Sequence, residues 1–205
     1  MRLQEMDDSA SDEDLMLRYR RGDVRAFETL YRRHNGPLYR YFLRMVRPPA
    51  VAEELFQDVW TSIVRVRAEY EVRAKFATWL YRVAHNRLID HYRRVAAGMP
   101  LSYGDDPDDA LETIPDAEFR EPANELERRR LAQRIVELVA ELPEAQREIF
   151  LLREEGGLSL EEIAAAIGVP AETAKSRLRY ALAKLRRALA DQMEPAPLRA
   201  KEQRS

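Results

Sequence analysis

Apolar residues recur every three to four positions through most of the chain, and strand-like alternation is nearly absent, so the pattern predicts an all-α protein. Ser11 and Asp14 open a helix over residues 12–21, and Gly22 stops it. A second helical stretch covers residues 23–47, with Phe27, Leu30 and Tyr31 in its apolar stripe, a bend at Asn35-Gly36-Pro37, and an end at Pro48-Pro49. A third covers residues 51–70, with Leu55, Val59 and Ile63 on one side, and a fourth covers 75–95, with Phe76, Leu80, Val83 and Leu88 facing inward. Residues 97–124 hold four prolines, glycine and clustered aspartates, and read as an extended linker. Helices resume over residues 125–142, 144–154, 160–167 and 171–190, and residues 191–205 read as a frayed tail. The expected organisation is an acidic tail (1–11), a helical domain (12–96), an acidic linker (97–124), a second helical domain (125–190) and a C-terminal tail.

Charge sharpens this division. The net charge is only −2, but residues 15–96 carry seventeen Lys/Arg against eight Asp/Glu, and residues 97–125 carry nine acids against one arginine. Basic blocks around an acidic one fit two polyanion-binding domains on a tether, although solvated helices are also charged. No apolar run approaches the ~20 residues of a membrane span, and the acidic N-terminus does not read as a secretory signal. With no cysteine there is neither a disulfide nor a thiolate metal site, and a cytoplasmic location is expected.

The sharpest local signal is SLEEIAAAIGVPAETAKSRLRYALAKLRRAL, residues 159–189. Ser159 and Glu162 form a capping box, Gly168 suits the left-handed residue that ends a helix, and Pro170 presets the first turn of the next. A short helix, a glycine turn and a longer basic helix make a helix-turn-helix. On the long helix Ala174, Leu178, Ala181, Leu185 and Leu189 share the inner side, while Glu172, Lys175, Ser176, Arg179 and Ala183 face away. Lys175 and Arg179 suit the acceptors of guanine, and Glu172 suits a cytosine amino group. Thr173 and Tyr180 complete the expected DNA-facing set, and Arg177, Lys184, Arg186 and Arg187 are placed to meet phosphates.

In the N-terminal half, KFATWLYRVAHNRLIDHYRR (residues 75–94) interleaves aromatic and basic residues, which suits single-stranded DNA. Plain core packing of Trp79 reads the same pattern. Together with AEELFQDVWTSI and LPEAQREIFLLREEGGLSLEEIAAAIGVPAETAKSRL, this stretch resembles the sigma-70 superfamily of bacterial RNA polymerase sigma factors, specifically the compact extracytoplasmic-function (ECF) class. The resemblance spans about residues 12–190 and implies sigma region 2 joined to a region 4 helix-turn-helix.

By that resemblance, Glu54, Leu55, Gln57 and Asp58 would contact the clamp helices of the largest core polymerase subunit, and the flap region would be a further partner. Trp79 matches the first of two tryptophans that wedge the melted bubble in housekeeping sigmas, with Leu80 in place of the second. Asn86 would read −10 bases, while Arg82, Arg87, Arg93 and Arg94 would hold the backbone; Phe76 and Tyr92 could stack or pack. The −35 element would fall to the helix carrying Glu172, where this class commonly has a small residue, and Tyr180, where it often has arginine. The acidic linker resembles the family's connector through the polymerase's nucleic-acid path. An anti-sigma partner, promoter DNA and core polymerase are implied, with no cofactor, small-molecule substrate or membrane insertion.

An enzyme would need a catalytic constellation, and none is legible: His85 and His91 lie six apart, off the i, i+4 spacing of a metal-binding helix face, and no glycine run forms a phosphate loop. A free-standing helix-turn-helix regulator is the alternative, but it would need neither the clamp-binding helix nor the tryptophan helix.

Overall fold

The structure, a computed structural model, describes the backbone of residues 9–98 and 122–193 and the side chains of residues 9–98 and 128–190. Most of the acidic tail (1–8), most of the linker (99–121) and the end of the C-terminal tail (194–205) lie outside the described residues. Among the described residues there are eight α-helices, one 3-10 turn and no strand.

Helix α1 (Asp12–Arg20) starts where the side chain of Ser11 accepts the Asp14 N–H, and three acids in its first turn complement the exposed N–H groups. The Asp23 carboxylate caps α2 (Val24–Met45) by accepting from the N–H groups of Arg25 and Ala26. That helix runs unbroken through Pro37. Pro37 removes one backbone N–H, while buried Leu30, Leu38, Tyr41 and Phe42 anchor the turns on either side. Helix α3 (Pro49–Val66) begins two residues before the apolar stripe predicts, because proline at a first helical position loses no hydrogen bond. It stops at Val66, and a 3-10 turn (Arg67–Glu69) replaces the expected continuation to residue 70. Helix α4 (Phe76–Ala96) follows after an irregular stretch.

In the C-terminal half, α5 (Pro122–Ala140) starts three residues before the expected boundary, α6 (Glu144–Glu154) and α7 (Leu160–Ile167) match it, and α8 spans Ala171–Met193. The capping box of Ser159 and Glu162 is formed from both sides, and Gly168 ends α7 with φ of 69°. Ala174, Ala181 and Leu185 of α8 are buried, with Leu178 and Leu189 partly so, as the 3.6-residue pattern requires.

The two halves share one apolar core, because α6 packs on α2 and α7 packs on α4. Polar contacts fix this arrangement. Glu148 of α6, only 8% exposed, accepts from the Tyr41 hydroxyl at 3.0 Å and lies 2.6 Å from Nδ1 of His85. Glu155 takes Arg40 at 2.7 Å and also pairs with Arg44. Arg82 Nη2 donates to the Ala165 carbonyl at 3.1 Å, and Lys75 meets Glu162 at 2.9 Å.

One open alternative is decided here and one expectation changes. Phe76 is fully buried, beside His34 and Trp79, so it packs rather than offering a stacking face. Leu55 is 1% exposed and belongs to the core with Val59 and Ile63. As part of the same i, i+4, i+8 stripe, it cannot also present its side chain to a partner.

Candidate nucleic-acid interface

Between α4 and residues 67–74 lies an open cavity of about 690 Å³, within the ~300–1,000 Å³ typical of ligand-binding clefts. Trp79, Val83 and Val66 give it an apolar wall, and Ser62 and Asn86 contribute a hydroxyl and an amide. Arg73, Arg82 and Arg87 stand at its margins with Glu69, Glu71 and Asp90. Trp79 is half-buried, with its ring centroid 5.1 Å from that of Tyr70 and 5.8 Å from that of Phe76. Its indole is braced by these two rings and, with Tyr70, borders the cavity. Burial is the first cause that pushes the Tyr70 hydroxyl up to about 12, reinforced by Glu13 and Asp12. It stays a neutral phenol at physiological pH.

Of the six residues assigned to this region from sequence, the structure brings Trp79, Arg82, Asn86 and Arg87 to the cavity. Asn86 is exposed, and its amide can pair with both donors and acceptors of a planar ligand edge. Arg87 donates to the Ser62 hydroxyl at 2.8 Å, which orders its guanidinium across the floor. Arg93 and Arg94 lie further along α4, near Asp90 at 3.5 Å and Glu54 at 3.9 Å respectively, and do not line the cavity. Tyr92 donates its hydroxyl to the Met45 carbonyl at 3.1 Å and so joins the α2–α4 packing.

Residues 69–74 form the opposite wall and carry no assignment from sequence. The only signal there is the lapse of 3.6-residue periodicity between Val66 and Phe76, which marks a break without saying what it lines.

The second surface is the outer side of α8. Glu172 and Lys175 are exposed and 3.6 Å apart, one turn from the helix start. Arg179 stacks over the ring of Tyr180 at 5.1 Å, and Tyr180 is 55% exposed. Ser176 turns its hydroxyl back to the Thr173 carbonyl at 3.0 Å, and Thr173, Ser176 and Arg177 are half-buried at the border of the face. Lys184, expected at phosphate, is exposed and donates to the Glu141 carbonyl at 2.8 Å. The face thus presents a carboxylate, an ammonium and a guanidinium braced by a phenol ring within about two turns. Such a set can read base edges.

The third set lies on α3. Gln57 is exposed and donates to Glu53 at 3.1 Å, while Glu54 and Asp58 are half-exposed. Without Leu55 this is a polar, acidic helix surface.

Among the described residues, no group of three or more His, Asp or Glu side chains is gathered as a metal site requires, and no helix is long and apolar enough to cross a membrane.

The comparisons with known proteins agree with this architecture. The family model "Sigma-70 region 2" matches residues 30–97, and "Sigma-70, region 4" matches residues 132–185. The chain is 31% identical to the RNA polymerase sigma factor CarQ of Myxococcus xanthus over 179 residues, covering 86% of this chain and 96% of that protein. It is 32% identical to the ECF RNA polymerase sigma factor RpoE of Cereibacter sphaeroides over 167 residues, covering 80% and 86% respectively. The solved structure of CnrH in complex with the cytosolic domain of CnrY superposes with a TM-score of 0.61 at 25% identity, covering 90% of this chain and all of that one. Both region models occur in the order and positions of the two helical halves, which a free-standing helix-turn-helix regulator would not require. The cavity beside Trp79 and the exposed face of α8 are therefore surfaces of a sigma-70 family protein, and the chain belongs to the ECF class of RNA polymerase sigma factors.

Proposed function

We propose that the two halves of this sigma factor divide promoter recognition between the two surfaces described above. Residues 12–96 dock on core polymerase and hold unpaired −10 bases, and residues 125–190 read the −35 duplex. One observation carries the −10 reading above others: the cavity beside Trp79 joins an aromatic wall, an exposed amide and flanking arginines. That combination fits a flipped nucleobase, which needs a stacking surface, an edge reader and a cation for its phosphate. Trp79 supplies the stacking wall, Asn86 the edge contact, and Arg82 and Arg87 the backbone contacts; Arg93 and Arg94 extend the cationic track along α4.

On α8, Glu172, Lys175 and Arg179 contact base edges in the major groove. Thr173, Ser176, Arg177 and Tyr180 complete the interface, Tyr180 by bracing Arg179. Glu54, Gln57 and Asp58 on α3 face the clamp helices of the largest polymerase subunit, and the region 4 half meets the flap region. A cytoplasmic site of action follows from these partners. Membership of the ECF class supports a regulatory partner of the anti-sigma kind, and CnrH, whose fold this chain shares, is solved in complex with another protein, the cytosolic domain of CnrY. In the structure Arg82 also donates to the Ala165 carbonyl and Lys75 pairs with Glu162, so the −10 surface borders the contact between the halves.

The test adds purified chain to core RNA polymerase and measures RNA synthesis from a genomic template. New transcripts with discrete 5′ ends, dependent on the chain, support the proposal. Duplex binding with no new transcript refutes it.

A further inference from the structure

The wall of the −10 cavity has little structure of its own. Residues 67–75 consist of a 3-10 turn and an irregular stretch, and Lys75 gives α4 no side-chain cap. Besides its contacts with α3 and α4, this wall is held by α1, and α1 lies outside residues 30–97, to which the region 2 family model corresponds.

Three contacts join them. The Arg67 guanidinium sits 5.6 Å above the Tyr19 ring. Arg20 Nη1 donates to the Tyr70 carbonyl at 2.9 Å. Glu13 Oε1 accepts the Phe76 N–H at 2.6 Å, sixty-three residues away in sequence. The Glu13 contact does what an N-cap side chain ordinarily does: a carboxylate satisfies an orphan N–H at the positive end of the helix dipole. The helix that makes these contacts is itself anchored. Asp12 accepts from Arg33 at 2.6 Å and lies 2.6 Å from His34 Nε2, and Leu15 and Met16 are fully buried. Tyr70, held by Arg20, meets Trp79 edge to face at 5.1 Å, and the turn capped by Glu13 carries Trp79.

From this geometry we infer that α1 is a positioning clamp for the −10 cavity, with Glu13 and Arg20 as its positioning residues. The inference rests on the proposed reading of that cavity. Glu13 and Arg20 touch no DNA. They hold the segment that carries Tyr70 against the helix that carries Trp79, and with it the shape of the cavity a base enters. Losing either contact lets the wall drift without opening the core beneath it, because Arg20 is exposed and Glu13 caps an end rather than filling space.

The experiment uses holoenzyme made from the full chain and core polymerase, on a promoter that the wild-type holoenzyme selects from a randomised promoter library. Permanganate reactivity of the −10 thymines reads opening, and affinity for core polymerase and the thermal midpoint of the chain are measured beside it. Glu13→Ala and Arg20→Ala are each expected to lower the opened fraction about fivefold, the equivalent of one lost cap or hydrogen bond. Glu13→Gln keeps an amide oxygen that accepts the Phe76 N–H and is expected to stay within about twofold of wild type. Affinity for core polymerase is expected to remain unchanged in all three. Wild-type opening by Glu13→Ala and Arg20→Ala overturns the clamp alone, as does loss of opening in step with loss of core binding, which would make α1 a general stabiliser. A wild-type chain that opens no promoter overturns the reading of the cavity and the clamp with it.

Discussion

Replacing Glu148 by alanine removes one carboxylate that the two halves of the chain share. Its Oε1 accepts from the hydroxyl of Tyr41 on α2 and faces Nδ1 of His85 on α4. A hydrogen bond to a charged group contributes about 1.5–3 kcal/mol net, and a buried donor left without a partner costs about 1–3 kcal/mol. Tyr41 is fully buried, so Glu148→Ala orphans its hydroxyl. Relief of the cost of burying the carboxylate offsets part of this loss. The balance is a destabilisation of about 2–4 kcal/mol for Glu148→Ala and about 1–2 kcal/mol for Tyr41→Phe, which removes the donor without leaving an orphan. Because both variants delete the same bond, the double variant should cost about 1 kcal/mol or more less than the sum of the singles. Urea unfolding of the full chain followed by circular dichroism measures all three. Additivity within about 0.5 kcal/mol would refute the direct contact and, with it, the docking of α6 on α2.

Other perturbations probe different links. Lys175→Ala or Arg179→Ala is expected to cost about 1–3 kcal/mol on the preferred −35 duplex and to relax base preference there; uniform weakening across duplex sequences would make the residue a phosphate contact instead. Burial raises the Asp12 carboxyl, but hydrogen bonds from His34 and Arg33 outweigh this and hold it below its ordinary 3.8. A folded-state value depressed in this way contributes stability above the unfolded value near ~4 that is lost as pH falls through the folded one. Between pH 5 and pH 3 the wild type should therefore lose more stability in urea than Asp12→Asn, and equal losses would contradict the assignment. Gly168→Ala places a Cβ in open space but at φ of 69°, so a loss of about 1–2 kcal/mol from backbone strain alone is expected. An unchanged urea midpoint would contradict that.

Local chemistry was the legible part of this molecule. The Ser159–Glu162 capping box, the Gly168 stop and the inner stripe of α8 all follow from short-range rules, and each stands where those rules put it. Trp79 stood out as an aromatic residue on a basic helix, although core packing fitted the same pattern, and Asn86 was marked only by the family resemblance. Contacts across the chain were not legible. In PEAQREIF, Glu148 reads as one more solvated acid, and only the docking of α6 gives it Tyr41 and His85. Glu13 looks like a first-turn acid of α1, yet it caps a helix more than sixty residues away. Leu55 stands among acidic residues that share a predicted partner surface, but its own place in the i, i+4, i+8 stripe decides its burial. The cavity wall was invisible because an irregular segment has no period to read.

The permanganate reactivity of −10 thymines, with wild-type and Trp79→Ala holoenzymes compared on one promoter, tests the cavity most directly. Loss of a base-stacking wall is worth about 1–3 kcal/mol, so Trp79→Ala should cut the reactive fraction about fivefold or more while leaving −35 duplex affinity unchanged. Equal reactivity in the two holoenzymes would mean that unpaired bases are held somewhere other than beside Trp79.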